Sequence, residues 1–288
     1  MRIPRYWSKA TAEEDDRDGG RVSISCWRSS DASPDEAHEL ARTAAQRALA
    51  QLLRGERLNR YAYGQQPLRE EVLNSVTGSQ GEPFLAVTRN HYGAVILNTA
   101  RVAFIDLDFP PPTCGRQLKQ LFARWFGKPA LPVDAQLELE IWQRLEQFVA
   151  VNPGHGFRVY RTFAGLRAIA THDLYDPVSP ATVQTFQALG ADPLYVRLCK
   201  LQASFRARLT PKPWRCGCCP NPVRWPREDP GQQTRFEEWD AEYTAAQEKY
   251  ATCRLLGTLG VGEVRPEIAQ VIQVHDRLTR CGQPLPLA

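Results

Sequence analysis

The pattern of apolar and polar positions divides the chain into amphipathic helices and short strands. Ser33-Pro34-Asp35-Glu36 combines an N-cap serine, a proline at the first helical position and a glutamate at the third, so a helix is predicted from there to Arg54. The polar, glycine-ended segment 11–20 is typical of a loop between an N-terminal arm and a short strand at 22–27. Further helices are predicted at 116–126, 134–151, 180–189, 193–202, 235–256 and 266–279.

Short apolar runs separated by turn residues predict the strands. Runs at 84–88, 94–97 and 102–108 follow one another closely and are expected to form sequential antiparallel strands. Runs at 157–163 and 166–171 flank a tight turn and are expected to form a β-hairpin, and 205–209 is a candidate strand. These elements predict an α+β protein with antiparallel or mixed sheets and flanking helices.

Composition narrows the picture only slightly. The 288 residues are 43% hydrophobic and 24% charged, which is enough for one large core or two modest ones. The chain has neither a membrane-length apolar run nor a signal-like apolar stretch at its start, so we expect a cytoplasmic protein with no membrane partner. The net charge of +4 is too mild to diagnose nucleic-acid binding, and the sequence gives no indication of oligomeric state.

The clearest candidate chemistry lies at the end of the run 102–108. Four apolar residues precede Asp106 and Asp108, and Pro110 stops the strand. Because side chains alternate along a strand, both aspartates are expected on one face, where two carboxylates can share a hard cation such as Mg²⁺ or Mn²⁺. The alternative for a bare Asp-x-Asp is a strand end whose aspartates face solvent or a helix N-terminus.

Three classes of enzyme place Asp-x-Asp at a strand end: phosphatases with a nucleophilic aspartate, metal-dependent glycosyltransferases, and polymerases or primases. The phosphatase pattern is disfavoured because Phe109-Pro110-Pro111 follows the second aspartate. A sugar-nucleotide transferase is disfavoured because residues 55–108 do not alternate between parallel strands and helices.

Positive charge gathers in the second hairpin and beyond it. Arg158, Arg161 and Arg167 lie in or beside this hairpin, with Thr162 and Gly165 at its turn. The dense run that follows interleaves cations with aromatic residues: Lys200, Phe205, Arg206, Arg208, Lys212, Trp214 and Arg215. The cations and small polar groups suit a polyphosphate, and the aromatic residues suit a stacked base, although a solvated basic surface has the same composition.

The order of these parts resembles the archaeo-eukaryotic primase superfamily, in particular its primase-polymerase branch. The first motif of that family matches Asp106 and Asp108, and its Ser-x-x-Gly-x-His-like hairpin is similar to the segment 162–167. Its third acidic residue falls best on Asp192, with Asp173 and Asp176 as alternatives. The resemblance covers about residues 83–215, and it departs from the family at Arg167, which stands in place of a phosphate-contacting histidine.

The segment Phe205-Arg206 with the later Lys212 also resembles the family's Phe-Arg segment and nucleotide-binding lysine. The resemblance implies an RRM-like catalytic half and a metal-dependent nucleotidyltransferase that adds nucleotides to a DNA or RNA 3′-hydroxyl. It implies that Mg²⁺ or Mn²⁺ is held by Asp106, Asp108 and Asp192. The implied nucleoside triphosphate contacts are Arg161, Thr162, Arg167, Arg206 and Lys212.

Two other functions stay open. One is a non-catalytic nucleotide or nucleic-acid binding protein that keeps the fold, which the departure at Arg167 favours. The other is a metal-dependent phosphohydrolase or nuclease that uses the same carboxylates. The expected organisation is an N-terminal arm and helical subregion at 1–80, a primase-like catalytic core at 81–215, and a cysteine-containing loop with C-terminal helices at 216–288.

Cysteines and aromatic residues near the C-terminus complete the candidates. Cys216 and Cys219 form a C-x-x-C pair that could contribute to a structural Zn²⁺ site, but no second pair follows, and reduced thiols are the alternative. Aromatic residues at helical spacing predict packing in a core: Phe236, Trp239, Tyr243 and Tyr250.

Overall fold

The chain forms an α+β protein with antiparallel sheets and flanking helices. The computed structural model describes residues 1–15, 20–56, 67–78, 81–110 and 131–288. The predicted helix at 116–126 lies outside the described residues.

A small N-terminal unit comes first. Strands β1 (Tyr6–Asp15) and β2 (Arg21–Ser30) form an antiparallel ribbon that packs against helix α1 (Pro34–Leu53). The predicted N-cap is confirmed, since the Ser33 side chain accepts a hydrogen bond from the Glu36 N–H. The predicted loop at 11–20 is wrong for residues 11–15, because β1 continues to Asp15, and residues 16–19 lie outside the described residues. Polar residues suit this ribbon because one of its faces is open to solvent.

The first four-stranded sheet has the order β10-β7-β8-β6. Its strands are β6 (Phe104–Asp108), β7 (Gly156–Thr162), β8 (Gly165–Ala170) and β10 (Cys253–Gly260). Both β6 and β7 are antiparallel to β8, which lies between them, so they are parallel to each other. Helix α2 (Val133–Val151) lies in the connection from β6 to β7, which makes this a split β-α-β arrangement.

The second four-stranded sheet has the order β3-β4-β5-β9. Its strands are β3 (Glu71–Thr77), β4 (Pro83–Arg89), β5 (Val95–Thr99) and β9 (Phe205–Arg208). The prediction of three sequential strands is correct for β4 and β5, which pair, but wrong for β6, which pairs with β8 instead. The difference arises because strand partners depend on contacts distant in sequence. Strand β3 was not predicted.

The remaining helices are α3 (Pro180–Leu189), α4 (Pro193–Gln202), α5 (Pro230–Gln247) and α6 (Pro266–Thr279). The predicted helices at 134–151, 180–189, 193–202 and 266–279 are confirmed. A single helix at 235–256 is wrong, because α5 ends at Gln247 and β10 follows. Strand β10 supplies hydrogen-bond partners to the outer edge of β7.

The main core lies between the two sheets and their helices. It includes Phe104, Leu145, Phe186 and Phe205, together with Ile268 from α6, so the segments 81–215 and 216–288 share one core. A second cluster packs Phe236, Trp239 and Tyr243 of α5 against the loop that carries Cys216 and Cys218. The aromatic packing prediction is confirmed for these three residues, and Tyr250 is partly buried against them.

A polar network ties α6 to β7. The Asp276 carboxylate accepts hydrogen bonds from the Tyr160 hydroxyl at 2.6 Å and from Arg158 Nη2 at 2.7 Å, and His275 Nδ1 lies 3.0 Å from it. Burial alone would raise the pKa of Asp276, but the hydrogen bonds from His275, Tyr160 and Arg158 outweigh it and lower the pKa to about 2. The charged carboxylate therefore stabilises the fold.

Acid should remove this contribution. Because the pKa of Asp276 is lower in the folded chain than its ordinary 3.8, its stabilisation is complete above that value and is lost as the pH falls towards 2. Near neutral pH we expect Asp276→Asn to lower the free energy of unfolding by about 2 kcal/mol. Urea unfolding at several pH values should show the gap to the wild type narrowing below about pH 4. A gap that is constant with pH would contradict this account of the network.

Candidate active site

The acidic strand β6 forms one edge of the first sheet, and its two aspartates lie on the same face. Asp106 is opposite Arg167 of β8, and Asp108 is opposite Gly165. Between them, Leu107 is buried on the other face. A side chain at Gly165 would collide with the Leu107 carbonyl, so glycine lets the hairpin turn approach the end of the acidic strand.

Arg167 is the partner of Asp106. Its Nε donates to Asp106 Oδ1 at 3.0 Å, and its Nη1 donates to the Arg208 carbonyl oxygen at 3.0 Å. Burial opposes the charged form of Arg167, but Asp106, with smaller contributions from Cys253 and Tyr195, outweighs it and raises the pKa of the guanidinium. Arg167 thus fixes the orientation of the Asp106 carboxylate. Asp106 Oδ2 accepts no hydrogen bond from the described residues.

Asp192 lies beside β6, and its side chain caps α4. Its backbone N–H donates to the Asp106 carbonyl oxygen at 3.1 Å. Its two carboxylate oxygens accept hydrogen bonds from the N–H groups of Leu194 at 3.3 Å and Tyr195 at 3.0 Å. The Tyr195 hydroxyl in turn donates to the Phe104 carbonyl oxygen at 2.8 Å, which fastens α4 to the acidic strand.

Of these three carboxylates, that of Asp108 has the fewest hydrogen bonds. Among the described residues, none donates a hydrogen bond to it. Burial raises its pKa, and the negative charges of Asp106 and Asp192 raise it further, while Lys212 and Arg167 act in the opposite direction. A cation bound beside Asp108 would relieve this repulsion.

The carboxylates do not form a ready-made metal cage. In the part of the chain that the structure describes, no three His, Cys, Asp or Glu side chains converge closely enough to hold an ion. The oxygens without hydrogen-bond donors, Asp106 Oδ2 and those of Asp108, fit an ion that is bound by one or two carboxylates and completed by water and substrate phosphate, as is common for Mg²⁺.

Three cations lie near these carboxylates: Arg208 at the end of β9, Lys212, and Arg215 in the 3₁₀ turn Pro213–Arg215. None of them has a carboxylate oxygen within 4.0 Å among the described residues. Burial lowers the pKa of Lys212, and repulsion from Arg208 and Arg215 lowers it further. Arg215 Nη1 is buried and has no hydrogen-bond partner, so this group of cations is suited to an anion.

Aromatic rings flank these cations. The Arg215 guanidinium lies 4.0 Å from the centre of the Phe163 ring, and Lys212 Nζ lies 5.5 Å from that of Trp214. Trp214 is 51% exposed and Phe163 is 47% exposed. Tyr92 packs edge-on against Trp214 at 5.2 Å. Exposed rings beside phosphate-binding cations are the usual means of holding a nucleobase.

Two of the arginines assigned to the triphosphate lie elsewhere. Arg161 pairs with Leu166, the residue before Arg167 on β8, so Arg161 and Arg167 lie on opposite faces of the sheet. On its own face, Arg161 Nε is 3.1 Å from Glu138 Oε2. Arg206 is buried, and its Nη2 donates to both carboxylate oxygens of Glu70, at 2.7 and 3.0 Å. The structure does not bring either guanidinium to Asp106 or Asp108.

Of the other predicted contacts, Thr162 closes the hairpin, because its hydroxyl donates to the Gly165 carbonyl oxygen at 3.1 Å. Lys212 lies near Asp108, whose charge raises its pKa against the larger effect of burial. Sequence reasoning did not select Arg208 or Arg215 as site residues. Both lie in the basic, aromatic run, and the hydrogen bond from Arg167 Nη1 to the Arg208 carbonyl oxygen shows that this part of the run approaches the acidic strand.

The cysteine pair lies in the second core. Cys216 Sγ is 3.2 Å from the Pro213 carbonyl oxygen and packs with the aromatic residues of α5, whereas Cys219 is exposed. Burial raises the pKa of Cys216 to about 11. The surroundings of Cys216 therefore fit packing better than metal coordination.

Comparisons with known proteins do not identify the chain. No family model, no curated protein and no solved structure matches it. Within the described residues, no helix is both long and apolar enough to cross a membrane.

Proposed function

We propose that this chain is a metal-dependent nucleotidyltransferase of the primase-polymerase kind, which joins a nucleoside triphosphate to a nucleic-acid 3′-hydroxyl. The observation that carries this proposal is the juxtaposition of Asp106 and Asp108 with Lys212 and Arg215, cations that have no carboxylate partner in the described chain. Nucleotidyl transfer requires carboxylates for cations on one side and positive charge for phosphates on the other. The split β-α-β arrangement around β6 supports the same class.

The residues divide into three roles. Asp106 Oδ2 and Asp108 would hold Mg²⁺ or Mn²⁺, and Arg167 orients the Asp106 carboxylate. Asp192 contributes negative charge nearby while it positions α4. Arg208, Lys212 and Arg215 would hold the triphosphate, and Trp214 or Phe163 would stack on the base.

In the reaction, the 3′-oxygen of the primer forms a bond to the α-phosphorus, the bond between the α- and β-phosphates breaks, and pyrophosphate leaves. The bound ion would lower the pKa of the 3′-hydroxyl and neutralise charge that develops on the phosphates. Lys212 and Arg215 would stabilise the departing pyrophosphate, because both are cationic side chains in a partly buried setting.

The direct test supplies the purified chain with labelled nucleoside triphosphates, a template-primer and Mn²⁺ or Mg²⁺. Primers lengthened one nucleotide at a time, with release of pyrophosphate, are the expected result. Release of inorganic phosphate or mononucleotides without longer primers would replace the proposal with a phosphohydrolase or nuclease. The absence of any product under either metal would also overturn it.

Arg215→Gln should raise the nucleotide KM about tenfold with a smaller effect on kcat, because a charge-assisted hydrogen bond to phosphate is lost. Arg161→Gln is the matched control, since it removes the same charge from the opposite face of the sheet. It should leave KM unchanged. Equal KM effects in the two variants would show that the increase reflects general charge and not a triphosphate contact.

A second candidate is a non-catalytic nucleotide-binding protein. It is favoured by one observation: the hydrogen bonds to Asp106 Oδ1 and to both oxygens of Asp192 already occupy part of the carboxylate set. Such a protein would bind nucleoside triphosphates equally well in EDTA and in Mn²⁺, and it would form no product.

A further inference from the structure

A second basic cleft lies between the N-terminal ribbon and α5. It encloses about 280 Å³ and is lined by Trp27 of β2, Arg69, the loop with Arg224, and Gln232 and Arg235 of α5, with Glu228 at one side. Elements from three parts of the chain form its walls. None of the residues that line this cleft was predicted from the sequence to be a site residue.

Positive charge is in excess in this cleft. Arg69, Arg224 and Arg235 have no carboxylate oxygen within 4.0 Å among the described residues. Glu228 is already paired, since its Oε2 lies 3.1 Å from Lys9 Nζ. Burial lowers the pKa of Arg69, and repulsion from Arg224 lowers it further, while Glu228 acts in the opposite direction, so two guanidinium groups lie close together beside one carboxylate that is shared with Lys9.

An aromatic ring orients one of these cations. The Arg69 guanidinium lies 4.0 Å from the centre of the Trp27 ring. Arg69 is thereby held in the cleft by stacking and not by an ion pair, which leaves its charge available to an anionic ligand. Arg224 and Arg235 are both exposed.

A row of rings connects this cleft to the carboxylate site. Burial lowers the pKa of His91, and the positive charge of Arg224 lowers it further, so His91 lies near Arg224. The centre of the His91 ring lies 5.0 Å from that of the Tyr92 ring. Tyr92 contacts Trp214 at 5.2 Å, and Lys212 lies over Trp214. The Asn221 N–H donates to the Tyr92 carbonyl oxygen at 3.1 Å, which fixes the loop of the cleft to this row. A row of three rings, with cations at both of its ends, therefore runs from Asp108 to Trp27.

We propose that the cleft formed by Trp27, Arg69, Arg224 and Arg235 binds the backbone phosphates of a single-stranded nucleic acid that runs along His91, Tyr92 and Trp214 towards the carboxylates. Solvent-accessible rings beside a cluster of cations favour a single strand, because its phosphates and its unpaired bases can be held at the same time. The inference rests on the proposed function. It assigns the phosphates of the strand to residues other than Arg208, Lys212 and Arg215, and with Trp214 on the strand it leaves Phe163 to stack on the base of the nucleoside triphosphate.

The test measures binding of a fluorescein-labelled single-stranded oligonucleotide to the full chain by fluorescence anisotropy, in EDTA and without nucleotide. The double variant Arg224→Gln, Arg235→Gln should bind at least about tenfold more weakly at low salt. The slope of log K against log salt concentration should fall by about 0.7 for each lost phosphate contact. The matched control, Arg254→Gln, Arg277→Gln, removes two exposed charges from β10 and α6 and should change neither quantity.

Each outcome is decisive. Equal weakening in the cleft variant and the control would overturn the proposal, as would wild-type affinity in the cleft variant. Stronger binding of a duplex than of the single strand would also contradict it. If the cleft variant loses affinity but the wild type extends no primer, the strand site stands and the proposed reaction fails. If instead the wild type extends primers but the cleft variant binds the oligonucleotide with wild-type affinity, the proposed reaction stands and the strand site fails.

Discussion

Asp108→Asn is expected to abolish nucleotidyl transfer, by at least about a thousandfold, while it slightly stabilises the fold. The loss follows because, of Asp106, Asp108 and Asp192, Asp108 is the one whose carboxylate has no hydrogen-bond donor among the described residues, which leaves it the most available to a metal ion. The gain follows because burial and the charges of Asp106 and Asp192 disfavour the charged form of Asp108. After solvent screening we expect about 0.5 kcal/mol, a rise of about 1–2 °C in melting temperature.

Asp173→Asn is the control for this experiment. Asp173 is exposed, its pKa is lowered by the Leu174 N–H and by Arg265, and it lies 2.6 Å from Arg265 Nη1. Its replacement should leave primer extension unchanged and should not raise the melting temperature. Primer extension at the wild-type rate by Asp108→Asn would remove this residue from the active site, and a melting temperature lowered by several degrees would contradict the electrostatic account.

Arg206→Met should lower the free energy of unfolding by about 3–5 kcal/mol, because it leaves the buried Glu70 carboxylate without its partner. The side chains of both residues are under 10% exposed, and Glu70 also accepts a hydrogen bond from Thr88 at 2.6 Å. Urea unfolding measures the loss directly. Nucleotide affinity of the folded fraction should not change, although the sequence resemblance assigned Arg206 to the triphosphate.

The double variant Arg206→Met, Glu70→Leu separates the two roles. Replacing both members of a buried ion pair with apolar residues is often neutral, so most of the lost stability should return. A triphosphate contact would behave differently: the double variant would recover stability but would bind nucleotide more weakly than the wild type. That result would contradict the structural role given to Arg206.

The sequence predicted local features well. Serine or aspartate followed by proline at Ser33, Ser179 and Asp192 located three helix N-termini, because capping depends on residues adjacent in the chain. The apolar approach to Asp106 and Asp108 also predicted a buried strand with two carboxylates on one face, as the structure has it.

Pairing over long distances could not be predicted in the same way. Glu70 lies in a segment whose apolar and polar residues have no clear periodicity, so the buried ion pair of Arg206 with Glu70 could not be predicted from the sequence. The face of Arg161, in contrast, was available from the sequence. A two-residue turn puts Arg161 and Arg167 on opposite faces, both in the predicted register, which pairs Phe163 with Leu166, and in the observed one, which pairs Thr162 with Gly165. Counting the register through that turn would have removed Arg161 from the triphosphate contacts.

The most direct test is the affinity of the chain for a nucleoside triphosphate, measured by calorimetry in Mn²⁺ and in EDTA. If Asp106 and Asp108 hold a cation against the phosphates that Lys212 and Arg215 contact, Mn²⁺ should tighten binding at least about tenfold in the wild type and not at all in Asp108→Asn. The same dissociation constant for the wild type in Mn²⁺ and in EDTA would contradict a metal-dependent active site.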